Sequence, residues 1–91
     1  MEPADKLFQS LQALEQLEAE IKSQIILGSA ICTDIERLLD QARLDGEPRQ
    51  IQFLDFALNE SGNTILTLEA ARHRVEQNIE AYRRFIAPLG L

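Results

Sequence analysis

The sequence predicts an all-α fold, an antiparallel hairpin of two long helices within a single domain of residues 1–91. Two observations lead to this fold class. Apolar residues recur at alternating steps of four and three over most of the chain, which is the period of a helix that is buried on one side. One strong turn signal interrupts that pattern near the middle. No alternation with a period of two runs long enough to indicate a strand.

The first helix is predicted over about residues 4–44. Steps of four and three from Leu7 to Ala42 pass through eleven positions, and nine of them are apolar. We call this row the seam of the first helix, and its exceptions are Glu18 and Gly28. Such a row packs one side of a helix against a neighbour.

The turn is predicted at residues 45–48, which read Asp-Gly-Glu-Pro. Gly46 can adopt the left-handed conformation that ends many helices. Pro48 suits the first turn of the following helix, because the N–H that proline lacks has no partner there. A connection this short makes the two helices antiparallel neighbours.

The second helix is predicted over about residues 49–87. Its seam runs by the same steps from Ile51 to Ile86, and again nine of eleven positions are apolar. The exceptions are Ser61 and Arg72.

Two weaker breaks leave open a division into four shorter helices. Gly28 and Ser29 are followed by Thr33 and Glu36, which have the spacing of a capping box. Residues 59–64 are a cluster of poor helix formers. The apolar steps run through both places without slipping, and a loop has no reason to keep that phase. Two long helices, weakened at these places, are therefore preferred.

The two charged exceptions in the seams, Glu18 and Arg72, have opposite signs. Folding the chain about the predicted turn brings them within about one helical turn of each other. We therefore expect an ion pair between them that fixes the register of the hairpin.

The balance of charge narrows the classes of partner. The formal net charge of -6 repels nucleic acid and anionic membrane surfaces, so neither is expected as a partner. Cys32 is the only cysteine and cannot form an internal disulfide, which suits a reducing compartment. The N-terminus lacks the pattern of a signal peptide, and no apolar run reaches the length of a bilayer. The sequence therefore predicts a cytoplasmic protein.

Residues that could carry chemistry are few. Glu69, His73 and Glu76 share a helical face, but Ala70 stands where a di-iron carboxylate helix would have glutamate, three residues before the histidine. A solvated helix face is the better interpretation. No phosphate-binding loop, zinc-ligand set or catalytic triad is present in the sequence. We expect neither an enzyme nor a cofactor or metal.

Apolar residues outside or beside the two seams gather between the weak places and the turn. A hairpin of two helices buries only one stripe of each, which is a marginal core for a chain of this size. The apolar residues outside the two stripes are expected to bury against a partner helix or a second copy of the chain. The alternative is a compact four-helix monomer that folds these residues into its own core. The predicted partner-binding residues are Ile26, Leu27, Ile31, Phe53, Phe56 and Leu66.

These features together predict a non-enzymatic protein–protein interaction module, a helical adaptor or chaperone that binds a partner helix. The alternative is a self-contained homodimer, a four-helix bundle made of two hairpins. A lesser alternative is an acidic inhibitor that mimics nucleic acid. That hypothesis requires acidic side chains clustered on one face, whereas here they are interleaved with Lys and Arg.

A short acidic hairpin with Glu-Pro-Arg-Gln at residues 47–50 and an Ile- and Leu-rich second helix resembles the small co-chaperones of type III secretion needle subunits. The resemblance covers about residues 5–80 and is mostly architectural. It implies a helical hairpin that pairs with a second chaperone and keeps a needle subunit from polymerising. The chain continues further after Val75 than that family leads one to expect, and no functional residue is carried over.

Overall fold

A computed structural model describes the backbone of residues 3–89 and the side chains of residues 4–88. Helix α1 spans Pro3–Asp45 and helix α2 spans Pro48–Ile86, and a short 3-10 helix, Ala87–Leu89, follows. No described residue lies in a strand. The predicted all-α hairpin of two long helices is therefore confirmed.

Both helices continue through the places where a break into four helices was possible. At Thr33 the side chain does not cap a new helix, because its hydroxyl donates to the carbonyl of Ser29 at 3.1 Å. Thr64 donates in the same way to the carbonyl of Glu60 at 3.0 Å. These bonds reach back four residues within the helix, so they satisfy side chains that are otherwise poor helix formers.

The turn between the helices has the hydrogen bonds of a Schellman motif. Gly46 adopts φ 66°, and its N–H donates to the carbonyl of Arg43 at 3.3 Å. The N–H of Glu47 donates to the carbonyl of Ala42 at 3.2 Å, which completes the motif. The first bond of α2 then runs from the N–H of Ile51 to the carbonyl of Glu47 at 3.0 Å.

The chain divides into two compact units. The terminal unit comprises Met1–Ser23 and Glu69–Leu91, and the turn unit comprises Gln24–Leu68. The single domain predicted from the sequence stays a prediction. Each unit contains a stretch of both helices packed along their seams.

The core of the terminal unit is a small cluster of seam residues with further seam residues packed around it. The buried members are Leu11, Val75, Ile79 and Ile86, and the partly buried ones are Leu7, Leu14, Ile21 and Tyr82.

The seam of the turn unit buries less. Leu39 and Ala42 are its buried apolar residues. Gly28 lies so close to α2 that a Cβ built on it would be 3.2 Å from Cγ1 of Ile65. The small exception in the first seam therefore permits a close approach of the two helices.

Candidate partner-binding surface

All six predicted partner-binding residues lie in the turn unit, and all are exposed. Their exposed fractions run from 45% at Ile31 to 71% at Ile26. The compact four-helix monomer, which would bury them, is therefore not the structure of this chain. The six residues are exposed because each helix is continuous. Each helix therefore buries one stripe, and its remaining surface is not covered by the chain.

Helical spacing divides these residues between two flanks of the turn unit. The first, which we call the groove flank, carries Leu27, Ile31 and Leu38 on α1. These residues are four and seven apart, which keeps them on one face, and Asp34 stands between the last two. Leu38 lines an open groove between the helices of about 470 Å³. From α2 the groove is lined by Phe53 and Leu54.

The opposite flank carries an ion pair between the helices. Nη2 of Arg43 lies 3.7 Å from Oδ1 of Asp55. The same steps of three and four connect Ile26 to Arg43 along α1, and they connect Asp55 to Leu66 along α2. We call this side the ion-pair flank. Ile26 and Leu66 therefore belong to it and not to the groove.

Phe56 lines neither flank. It lies three residues after Phe53, on the outward surface of α2, and is exposed. The sequence prediction treated the six residues as one surface, and the structure corrects this. A partner on the groove flank can contact Leu27, Ile31 and Phe53, while the others face elsewhere.

The groove has an apolar floor and a polar rim. Ala42 and Leu54 form part of the floor between the more exposed Leu38 and Phe53. The rim nearest the turn contains one acid and one base, Asp45 and Arg49. Oδ1 of Asp45 accepts a hydrogen bond from Nε2 of Gln41 at 3.1 Å. Among the described side chains, neither Asp45 nor Arg49 has an opposite charge within 4.0 Å.

The sequence prediction did not include Leu38 in the binding surface. Leu38 stands next to the seam residue Leu39 in the sequence, and it is 57% exposed. The signal that could have placed it is its spacing of seven residues from Ile31, which puts both on one face. Ala42 and Leu54 were predicted as seam residues, and they serve both as seam and as groove floor.

The terminal unit has a similar two-sided arrangement that the sequence did not predict. A shallow apolar groove there is lined by Leu7, Tyr82 and the exposed Phe85. An ion pair between the helices, with Nη2 of Arg83 3.6 Å from Oε2 of Glu15, lies off this groove. Leu17 and Tyr82 line a further, more polar groove of this unit.

The predicted register pair of Glu18 and Arg72 is corrected by the structure. Nε of Arg72 lies 2.9 Å from Oε1 of Glu76, one turn further along α2. The N–H of that nitrogen is not directed at the carboxylate, so the buried Nε is close to an opposite charge but has no hydrogen bond. A partner on the same helix is nearer than one across the seam, and the local pair forms instead.

No metal site is evident in the described part of the chain. His73 is exposed, and its Nε2 lies 3.2 Å from Nε2 of Gln77. No group of three or more His, Cys, Asp and Glu side chains within that part is placed to hold a metal ion. Cys32 is half-buried in the seam and is not in a disulfide.

Comparisons with protein families, with curated proteins and with solved structures give no match to this chain. Neither helix, over the residues described, has a stretch that is both long and apolar enough to cross a membrane.

Proposed function

We propose that this chain is a non-enzymatic protein–protein interaction module, an adaptor or chaperone that binds an amphipathic helix along the groove flank of its turn unit. The observation that carries the proposal is the open apolar groove between Leu38 and Phe53, two large side chains that are 57% and 66% exposed. Leu27 and Ile31 extend the same apolar face along α1.

The geometry of the groove favours a helix as the ligand. Two antiparallel helices with apolar residues at steps of three and four present a groove between parallel ridges, and a third helix fits such a groove with its own apolar stripe. The floor is apolar while acid and base stand only at the rim near the turn. A surface of this kind is held by buried area and by fit, and its rim charges select among partners.

A chaperone role like that of the needle-subunit co-chaperones is one form of this proposal. In that form the hairpin would cover the apolar stripe of a helix that otherwise polymerises. The support is the short acidic hairpin, with Glu-Pro-Arg-Gln at residues 47–50 leading into α2, together with the open groove beside the turn.

Two matched double variants test the proposal. The first, Leu38→Ser with Phe53→Ser, removes the two most exposed apolar side chains of the groove. The second, Ile26→Ser with Leu66→Ser, removes one comparably exposed apolar side chain from each helix on the ion-pair flank. Because all four positions are solvent-exposed in helices, both variants should keep the helicity of the wild type by circular dichroism.

The readout is the set of proteins that co-purify with the tagged full chain from the cells that make it, quantified by mass spectrometry. We expect the groove variant to lose a specific protein by about 10-fold or more, since two buried apolar anchors are removed. The ion-pair-flank variant should retain it. Equal retention by both variants would contradict the proposal. So would a wild type that captures neither a specific protein nor an untagged second copy of the chain.

A further inference from the structure

We infer that the helix occupying the groove of the turn unit belongs to a second copy of this chain, so that two hairpins pair through their groove flanks about a two-fold axis. The inference rests on the proposed function, because it names the partner of the same groove. Three observations carry it: the area left exposed, the charges at the rim, and the position of those charges on their helices.

The first observation is the area that the isolated chain leaves exposed. Its accessible surface is 6912 Å². A compact folded monomer of 10.3 kDa exposes about 5,400 Å², so this chain exposes about 1,500 Å² more. A stable interface buries about 800 Å² on each partner. The excess, taken over the whole chain with the terminal unit included, exceeds the area that an interface of stable size buries on one partner. No described side chain is fully buried within the chain itself.

The second observation is that the groove is complementary to itself. In an isologous pair the same patch faces its copy, so every group on the patch needs its complement on the same patch. The rim contains one acid, Asp45, and one base, Arg49. A two-fold axis that runs parallel to the helices keeps the two turns at the same end and sets α1 of each copy against α2 of the other. Asp45 of each copy then lies opposite Arg49 of the other. The exposed ring of Phe53 likewise faces the partner's groove, whose volume of about 470 Å³ can receive it.

The third observation is that both rim charges oppose the dipoles of their own helices. Asp45 is the last residue of α1, where a cation is favoured, and Arg49 lies in the first turn of α2, where an anion is favoured. Neither is compensated by an ion pair among the described side chains. With no opposite charge within 4.0 Å in the described part of the chain, both can pair with their complements on a second copy.

Charge reversal at the rim, followed by mixing of the two reversed variants, separates contacts between copies from effects inside one chain. Asp45→Arg and Arg49→Asp each place like charges opposite each other twice in a symmetric pair, and each should weaken self-association by about 10-fold or more. Each change improves the fit of the charge to its own helix dipole but also puts two like charges on the rim of one chain, and Asp45→Arg removes the hydrogen bond from Gln41. The free energy of unfolding of each variant is therefore measured beside its self-association. In an equimolar mixture of the two variants, every rim contact is between opposite charges again.

The experiment is sedimentation equilibrium of the purified full chain over a range of concentrations. We expect the wild type to have twice the monomer mass of 10.3 kDa. Either charge variant alone should dissociate at concentrations where the wild type is paired, and the equimolar mixture should regain the pair as a heterodimer. The Leu38→Ser, Phe53→Ser variant should weaken association by about 100-fold or more, and the Ile26→Ser, Leu66→Ser variant should not.

Three results would overturn the inference. A wild type that is monomeric at every concentration shows that the groove is not covered by a second copy. A pair that survives the groove variant shows that association uses another surface. A mixture that stays dissociated shows that the rims do not meet. The first of these leaves the proposed function intact if a different protein is still lost with the groove variant.

Discussion

Replacing Ile79 by alanine is expected to lower the free energy of unfolding by about 3 kcal/mol. Ile79 is 2% exposed and belongs to the apolar cluster of the terminal unit with Leu11, Val75 and Ile86. The change removes three carbon atoms from a packed site between two helices. It leaves a cavity that two long helices cannot readily close by moving together. For a chain with so few buried side chains, this loss is a large fraction of the total stability.

Urea unfolding followed by far-ultraviolet circular dichroism measures this effect. All variants should be compared at one protein concentration, because association stabilises the folded chain by mass action. Ile26→Ala is the matched control, since it is the same chemical change at a side chain that is 71% exposed. It should alter the free energy of unfolding by less than about 0.5 kcal/mol. Comparable losses from both variants would contradict the assignment of the seam.

A leucine at position 28 is expected to destabilise the chain relative to a leucine at position 62 by about 1–3 kcal/mol. Both glycines lie inside helices, and Gly→Leu gains about 0.8 kcal/mol of helix propensity at either place. At Gly28 even a Cβ would be 3.2 Å from Cγ1 of Ile65, so a leucine must displace that side chain or push the helices apart. At Gly62 a Cβ would meet nothing within 4 Å.

The comparison of Gly28→Leu with Gly62→Leu therefore cancels helix propensity and measures the close approach of α1 and α2 in the turn unit. Gly62→Leu should raise the midpoint of urea unfolding above that of the wild type. Gly28→Leu should lie below Gly62→Leu and should report the cost of overpacking. Equal midpoints for the two variants would show that the helices do not approach closely at Gly28.

The helices and the turn could be predicted from the sequence because the signals that define them are local. The seam is a period in the chain, and the Gly46–Pro48 pair defines both helix ends within a few residues. Helix continuity through Gly28 and residues 59–64 could be inferred because the period kept its phase there. Each of these predictions depends on neighbours in sequence.

The candidate surface was predicted only in part, because its layout depends on which side of one helix faces which side of the other. The sequence identified exposed apolar residues but could not divide Phe53 from Leu66, which lie on opposite flanks of the turn unit. The sequence also did not identify Leu38. Its position beside the seam does not tell how far the other helix covers its side chain. The predicted pairing of Arg72 with Glu18 was wrong, because a carboxylate one turn away on the same helix competes with one across the seam.

The central claim is that the groove flank of the turn unit binds a helix, and site-specific crosslinking tests it most directly. A photoreactive phenylalanine analogue placed at position 53 in the full chain, and activated in the cells that make it, should give a discrete adduct. The crosslinked peptide should belong to an amphipathic helix, either of a second copy or of another protein. The same analogue in place of Leu44, an exposed residue outside the groove lining, is the control and should give no such adduct. The claim would be contradicted if the analogue at position 53 gave no adduct, or if both positions gave the same adducts.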